Sequence, residues 1–229
     1  MIAGLNLRPA AGGAGAATTA PSVIGGSSGA LGSSSIALNA PTSPIPASVA
    51  RDGRTLGSPT AKVVLETWED FQCPACGSFT REIEPILIER YVVPGKIRLT
   101  FRDFAFLGPE SSAAASAARC AGAQGKFWDY LDWVFANQNG ENQGWFSPAR
   151  LAAIADRVGL DRNAWQACFD GGSERAAVTA ETETGRTAGV ASTPTLVLNG
   201  QIVQLASFSS WNDLYAAIDA AVAGASPAP

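Results

Sequence analysis

The chain has 229 residues, a formal net charge of −4, a pI near 4.9, only 16% charged residues and no histidine. That length allows one sizeable domain or two small ones, and the acidic balance excludes the basic footprint of a protein that binds nucleic acid or anionic lipid. The lack of histidine removes Ser-His and Cys-His catalysis and every imidazole metal site. Met1 is the sole methionine, which removes a thioether copper site, so no metal and no cofactor is expected. Four cysteines remain, at 73, 76, 120 and 168, and any redox chemistry must use them.

Residues 1–50 are built from Ala, Gly, Ser, Thr and Pro, and Arg8 is the only charge before Arg51. With few large apolar residues to offset ordering entropy, this stretch reads as a disordered linker with a span of roughly 40 Å. Met1–Leu7 has neither a basic n-region nor an h-region, so a membrane anchor or signal is expected upstream and the linker becomes a tether. The alternative is a tail without a role. Residues 51–224 read as one folded domain, with a helical insertion at 107–188 and a flexible tail at 225–229.

Within that domain Ala61–Trp68 is a β-branched run that predicts a buried strand. Pro74 suits the first turn of a helix, and Ile83, Ile86, Leu87 and Tyr91 carry that helix to about Val92, where Pro94-Gly95 stops it. Lys96–Phe104 predicts a second strand, parallel to the first. Ala113–Gln138 is helical with a break at Gly122–Gly125. Ser147-Pro148 starts another helix that Gly159 ends, Asp161 caps a short one, and Ser173–Ala188 forms a further one. Pro194–Leu198, the turn pair Asn199-Gly200 and Gln201–Leu205 make a hairpin, and Ser209 or Ser210 caps a last helix through Val222. The order β-α-β, helical block, β-β-α is α/β, a thioredoxin fold with a helical domain inserted between its halves.

Cys73-Pro74-Ala75-Cys76 lies between a strand and a helix start. A cysteine there meets unpaired N–H groups and the positive end of the helix dipole, which stabilise its thiolate. A second cysteine one turn on can close a small reducible ring with it. Cys73 is therefore the candidate nucleophile and Cys76 the resolving thiol. Half of a zinc site is the competing reading, and it lacks a second close pair. Thr193-Pro194, at the start of the strand before the hairpin, is placed where thioredoxin-type folds hold a cis proline facing the CxxC; an ordinary trans proline is the alternative. Cys120 and Cys168 each sit on the apolar face of a predicted helix, and a structural disulfide between them is expected, the alternative being two buried free thiols. A persistent second disulfide places the protein in an oxidising, extracytoplasmic compartment.

Val63–Cys76 (VVLETWEDFQCPAC), Phe101–Phe104 (FRDF), Ala117–Tyr130 (AARCAGAQGKFWDY), Gly159–Cys168 (GLDRNAWQAC) and Gly189–Gly200 (GVASTPTLVLNG) together resemble the DsbA-like branch of the thioredoxin superfamily, in particular its bacterial envelope members. The resemblance runs from about Leu56 to Val222. It implies a protein disulfide oxidoreductase with Cys73 as the exposed nucleophile, Cys76 as its partner and Pro194 as the cis proline. Thr193 would offer backbone hydrogen bonds to a substrate peptide. It also implies thiol-containing exported or unfolded proteins as substrates and a membrane-embedded, quinone-linked redox partner; the protein is expected to act as a monomer.

Two positions depart from the family pattern. Strongly oxidising members have a histidine inside the CxxC, where this chain has Ala75, which implies a less oxidising disulfide. Many relatives carry a buried acid six residues before the first cysteine, where this chain has Thr67; Glu66, Glu69 and Asp70 nearby read as solvated loop and strand-end carboxylates. Trp128, Trp133, Trp165 and Trp211 are expected in the core, and Trp68 beside the substrate groove. The functional readings are an oxidase that introduces disulfides, a reductase or isomerase, and a redox-silent peptide-binding module.

Overall fold

The computed structural model describes residues 36–42, 45–204 and 210–225. Two short strands, β1 (Arg51–Asp52) and β2 (Thr55–Leu56), form a hairpin turned through Gly53 at φ 55°. They are followed by β3 (Val63–Glu69), whose residues 63, 65, 67 and 69 are all buried on one face. Cys73 is the N-cap of α1 (Pro74–Glu82), with Pro74 in the first turn, where its missing N–H has no helical acceptor to lose. Where the sequence predicts one helix to about Val92, α1 gives way at Ile83 to α2 (Glu84–Leu87) and a π-helical turn, Ile88–Val92. Pro85 accounts for the break, because it has no N–H to give the preceding turn.

Next comes β4 (Ile97–Asp103), which pairs parallel with β3 from Val63↔Ile97 to Glu69↔Asp103. The helical block is α3 (Pro109–Gly122), α4 (Phe127–Ala136), α5 (Pro148–Val158), α6 (Arg162–Gly171) and α7 (Ser173–Thr187). The Asp161 carboxylate caps α6 by accepting from the Ala164 N–H at 3.0 Å. The chain returns through β5 (Thr195–Leu198), antiparallel to β3, and turns through Asn199 and Gly200, both at positive φ as a tight hairpin requires. It ends with β6 (Gln201–Ile202) and α8 (Trp211–Ala225). Among the described residues the sheet runs β1-β2-β4-β3-β5-β6. The α/β fold is therefore the expected one, a thioredoxin core interrupted by helices.

The inserted helices are tied by buried polar bonds as well as packing. Tyr130 Oη donates to the Leu151 carbonyl at 2.8 Å and Trp165 Nε1 to the Ala117 carbonyl at 3.0 Å. Cys120 of α3 and Cys168 of α6 are disulfide-bonded, with Cα atoms 5.8 Å apart. Arg54 and Arg119 converge on Asp103 and Glu181, and Arg102 joins Glu181 to Glu66, clamping the sheet to α3 and α7.

Several expectations are corrected. Residues 36–42 and 45–50 are packed on the domain rather than part of a linker. Asn39 exchanges two hydrogen bonds with the Asn137 side chain at 2.8 and 2.9 Å, and Ile45 and Val49 are buried. These few apolar residues were diluted by the small-residue composition around them. The linker expectation for residues 1–35, the Ser209 cap, the Leu205 strand end and the tail at 226–229 lie outside the described residues, while α8 itself reaches Ala225. α3 begins at Pro109, four residues earlier than the alanine run suggests. Trp128 and Trp165 are buried, but Trp211 is 37% exposed, its ring 5.9 Å from that of Phe79. Trp68 lies buried with Phe104, Val190 and Val197 rather than at an open groove.

Candidate active site

The site is built where β3 ends, α1 begins and the loop before β5 comes alongside. Asp70 fixes the turn between strand and helix. One of its carboxylate oxygens accepts from the Gln72 N–H at 2.8 Å, and the other accepts from the N–H groups of Phe106 and Leu107 at 2.8 and 3.0 Å. Gln138, at the end of α4, donates through Nε2 to the carbonyls of Phe71 and Cys73 at 2.9 and 2.8 Å. The Gln72 side chain reaches Ser111 at 2.8 Å and also bonds Asn142. The inserted block thus holds the backbone on which Cys73 sits.

Pro74 and Ala75 face solvent on the first turn, whereas Cys73 is 8% exposed and Cys76 fully buried; both are free thiols. The Cys73 Sγ lies 3.3 Å from the Thr193 carbonyl oxygen, and the Thr193–Pro194 peptide bond is cis. The structure therefore brings Cys73, Cys76, Thr193 and Pro194 together, and leaves Cys120 and Cys168 in the inserted helices as a separate pair.

The two thiols are treated oppositely. Cys73 is lowered to about 6: the Cys76 thiol, then the Thr193 hydroxyl and the N–H groups at the start of α1, donate to its thiolate and outweigh partial burial. Cys76 is pushed well above 9.0, first by burial, then because it already donates to Cys73, and further by the charge of Glu69.

Glu69 is where the sequence expectation fails most. It is 1% exposed rather than solvated, and burial raises its carboxyl to about 8 against the opposing influence of the Thr67 and Thr80 hydroxyls. Asp70 is buried too, while Glu66 is partly exposed and paired with Arg102. β3 continues one residue past Trp68, so alternation sets Glu69 on the same inward face as Thr67, two residues away. Glu84 is a second buried acid, pushed well above 4.5 by burial and by the charges of Glu69 and Asp132. Cys76, Thr80 and Glu84 recur at four-residue spacing, a helical signal that could have shown them sharing one face.

A model of the family described as thioredoxin matches residues 50–220. The chain belongs to the thioredoxin family. Within it, this thioredoxin-family domain is similar to the probable disulfide bond formation protein D of Bacillus cereus, at 33% identity over 103 residues, covering 44% of this chain and 48% of that protein. The chain thus spans about half the length of that relative. Its fold matches that of oxidised BdbD from Bacillus subtilis with a TM-score of 0.68 at 22% identity, covering 80% of this chain and 99% of that one. It matches that of Chlamydia trachomatis DsbA with a TM-score of 0.67 at 19% identity, covering 78% and 95%. At these identities the two structures establish the DsbA-like fold.

Proposed function

We propose that the protein is a thiol–disulfide oxidoreductase that introduces disulfides into exported proteins through Cys73 and Cys76. The observation that carries this reading is the split between the two thiols: Cys73 at a helix N-terminus with a thiolate favoured near neutral pH, Cys76 buried and held as a thiol. A substrate thiolate attacks Cys73 Sγ of the oxidised pair. The Cys73–Cys76 bond breaks, its electron pair leaves on Cys76, and Cys76 takes up a proton. A second substrate thiolate then attacks the mixed disulfide, forming the substrate disulfide and releasing Cys73 as a stabilised thiolate. Pro74 and Ala75 are the exposed part of the first turn beside the pair, and Thr193 and Pro194 offer the edge on which a substrate peptide pairs as a strand.

The relatives named for disulfide bond formation support this reading, as does the Cys120–Cys168 disulfide, a pairing suited to an oxidising, extracytoplasmic compartment. The reduced enzyme then needs reoxidation, and a membrane-embedded, quinone-linked partner fits that role. Among the described residues no helix is long and apolar enough to cross a membrane. A reductase or isomerase is the second reading, favoured by Ala75 in the slot where a thiolate-stabilising histidine stands in strong oxidants.

The test mixes the oxidised protein with a reduced two-cysteine peptide. Disulfide should appear in the peptide, Cys73→Ser should abolish transfer, and Cys76→Ser should arrest it as a mixed disulfide when the peptide disulfide is supplied. No transfer from the intact Cys73–Cys76 disulfide would reduce the protein to a peptide-binding module.

A further inference from the structure

The segment ahead of β1 reaches the turn that carries Cys73 through a short series of hydrogen bonds. The Asn39 N–H donates to Asn137 Oδ1 at 2.8 Å, and Asn137 Nδ2 donates to the carbonyls of Asn39 at 2.9 Å and Trp133 at 2.8 Å. Asn137 is 3% exposed, so one buried amide joins residues 36–42 to the end of α4. The next residue, Gln138, gives its Nε2 hydrogens to the carbonyls of Phe71 and Cys73 at 2.9 and 2.8 Å. The Cys73 carbonyl also accepts from the Gly77 N–H at 3.1 Å.

Gln138 stands there because residue 77 has no side chain. A Cβ on Gly77 would collide with the Gln138 amide oxygen and meet Arg81 Nη1 at 2.9 Å. Gln138 also borders a cavity of about 360 Å³, shared with residues 39–42, Thr80 and Arg81. Packing therefore leaves the amide room to swing, and the backbone at Asn137 has to fix it. We propose that Asn39 and Asn137 are positioning residues of the redox site: they hold the backbone from which Gln138 seats the Cys73 turn. This rests on Cys73 being the nucleophile.

The position of that turn matters because several donors must converge on one sulfur. The Ala75 and Cys76 N–H groups come from α1, and Thr193 comes from the loop before β5. Hydrogen bonds weaken steeply with misalignment, so a small rotation of the turn depletes the thiolate. Residues 45–50 have a separate anchor in Arg51, which donates to the Ile45 carbonyl at 2.9 Å and to Asp129 at 2.8 Å. Asp129 lies about two helical turns before Asn137, so loss of that anchor weakens the segment without touching the joint.

Ultraviolet thiolate titration of the reduced full-length protein tests the assignment. Gly77→Ala displaces the Gln138 amide directly, and alanine favours the helix it enters. Asn137→Ala cuts the joint, and Asn39→Pro removes the N–H that reaches it. Each should raise the Cys73 midpoint from about 6 by at least about half a unit, whereas Asp129→Asn should leave it in place. Glu69, the acid that faces Cys73, is unchanged in every variant. An unmoved midpoint in Gly77→Ala, or in both Asn137→Ala and Asn39→Pro, overturns the proposal, and so does an equal rise in Asp129→Asn. Should Asn137→Ala not fold, Asn39→Pro, at an exposed position, decides that step alone. If the unsubstituted oxidised protein transfers no disulfide to a reduced peptide, the oxidase reading fails instead, and the Cys73 titration still decides the positioning.

Discussion

Replacing Glu69 with glutamine should remove a specific pH dependence of stability. The carboxyl has an ordinary value of 4.5 and is held at about 8 by burial in the folded protein. Between those values it is protonated when folded and ionised when unfolded, so rising pH favours the unfolded chain. The contribution to stability is intact below pH 4.5 and is lost progressively up to about 8, at about 1.4 kcal/mol per pH unit. From 4.5 to 7 is 2.5 units, which gives a loss of at most about 3 kcal/mol at neutrality. Glutamine keeps the shape and stays neutral, so the difference in unfolding free energy between Glu69→Gln and the parent should grow with pH across this window. Urea denaturation of both reduced proteins at several pH values measures it, with the other titrating groups common to both. Parallel stability–pH curves would refute the reasoning.

Other substitutions test separate parts of the site. Cys76→Ala removes the foremost donor to the Cys73 thiolate, so the Cys73 midpoint should move from about 6 back toward 9.0 in an ultraviolet thiolate titration; an unmoved midpoint contradicts the assigned cause. Gln138→Ala strands the Phe71 carbonyl, leaves the Cys73 carbonyl with only the Gly77 N–H, and should cost about 1–3 kcal/mol in denaturation, with a loss near zero showing that other donors replace it. The double variant Cys120→Ser, Cys168→Ser should lose about 2–4 kcal/mol of stability while the Cys73 titration stays in place, since that disulfide lies in the inserted helices. A shifted Cys73 midpoint would show the two pairs to be linked.

What could be read from the sequence was local. Cys73 before Pro74 at the end of a β-branched run specifies a helix N-terminus within a few residues, and Asn199-Gly200 specifies a hairpin by its backbone demands alone. The buried acids were harder because their environment is assembled from distant segments. Glu66, Glu69 and Asp70 crowd a short stretch that reads as solvated, yet one additional residue of strand turns Glu69 inward beneath α1. Asp132 reaches Glu84 from α4 and Gln138 reaches the Cys73 carbonyl from just beyond it, and nothing near Cys73 in the sequence announces them. β1 and β2, at two residues each, carry too little pattern to be seen, and Ile45 and Val49 were hidden by the small residues around them.

The reduction potential of the Cys73–Cys76 pair, measured by equilibration with glutathione, bears most directly on the oxidase reading. A thiolate held at about 6 stabilises the reduced form, so a potential above about −180 mV is expected despite Ala75. A potential near or below about −250 mV would contradict it and leave a thioredoxin-like reductase as the better account.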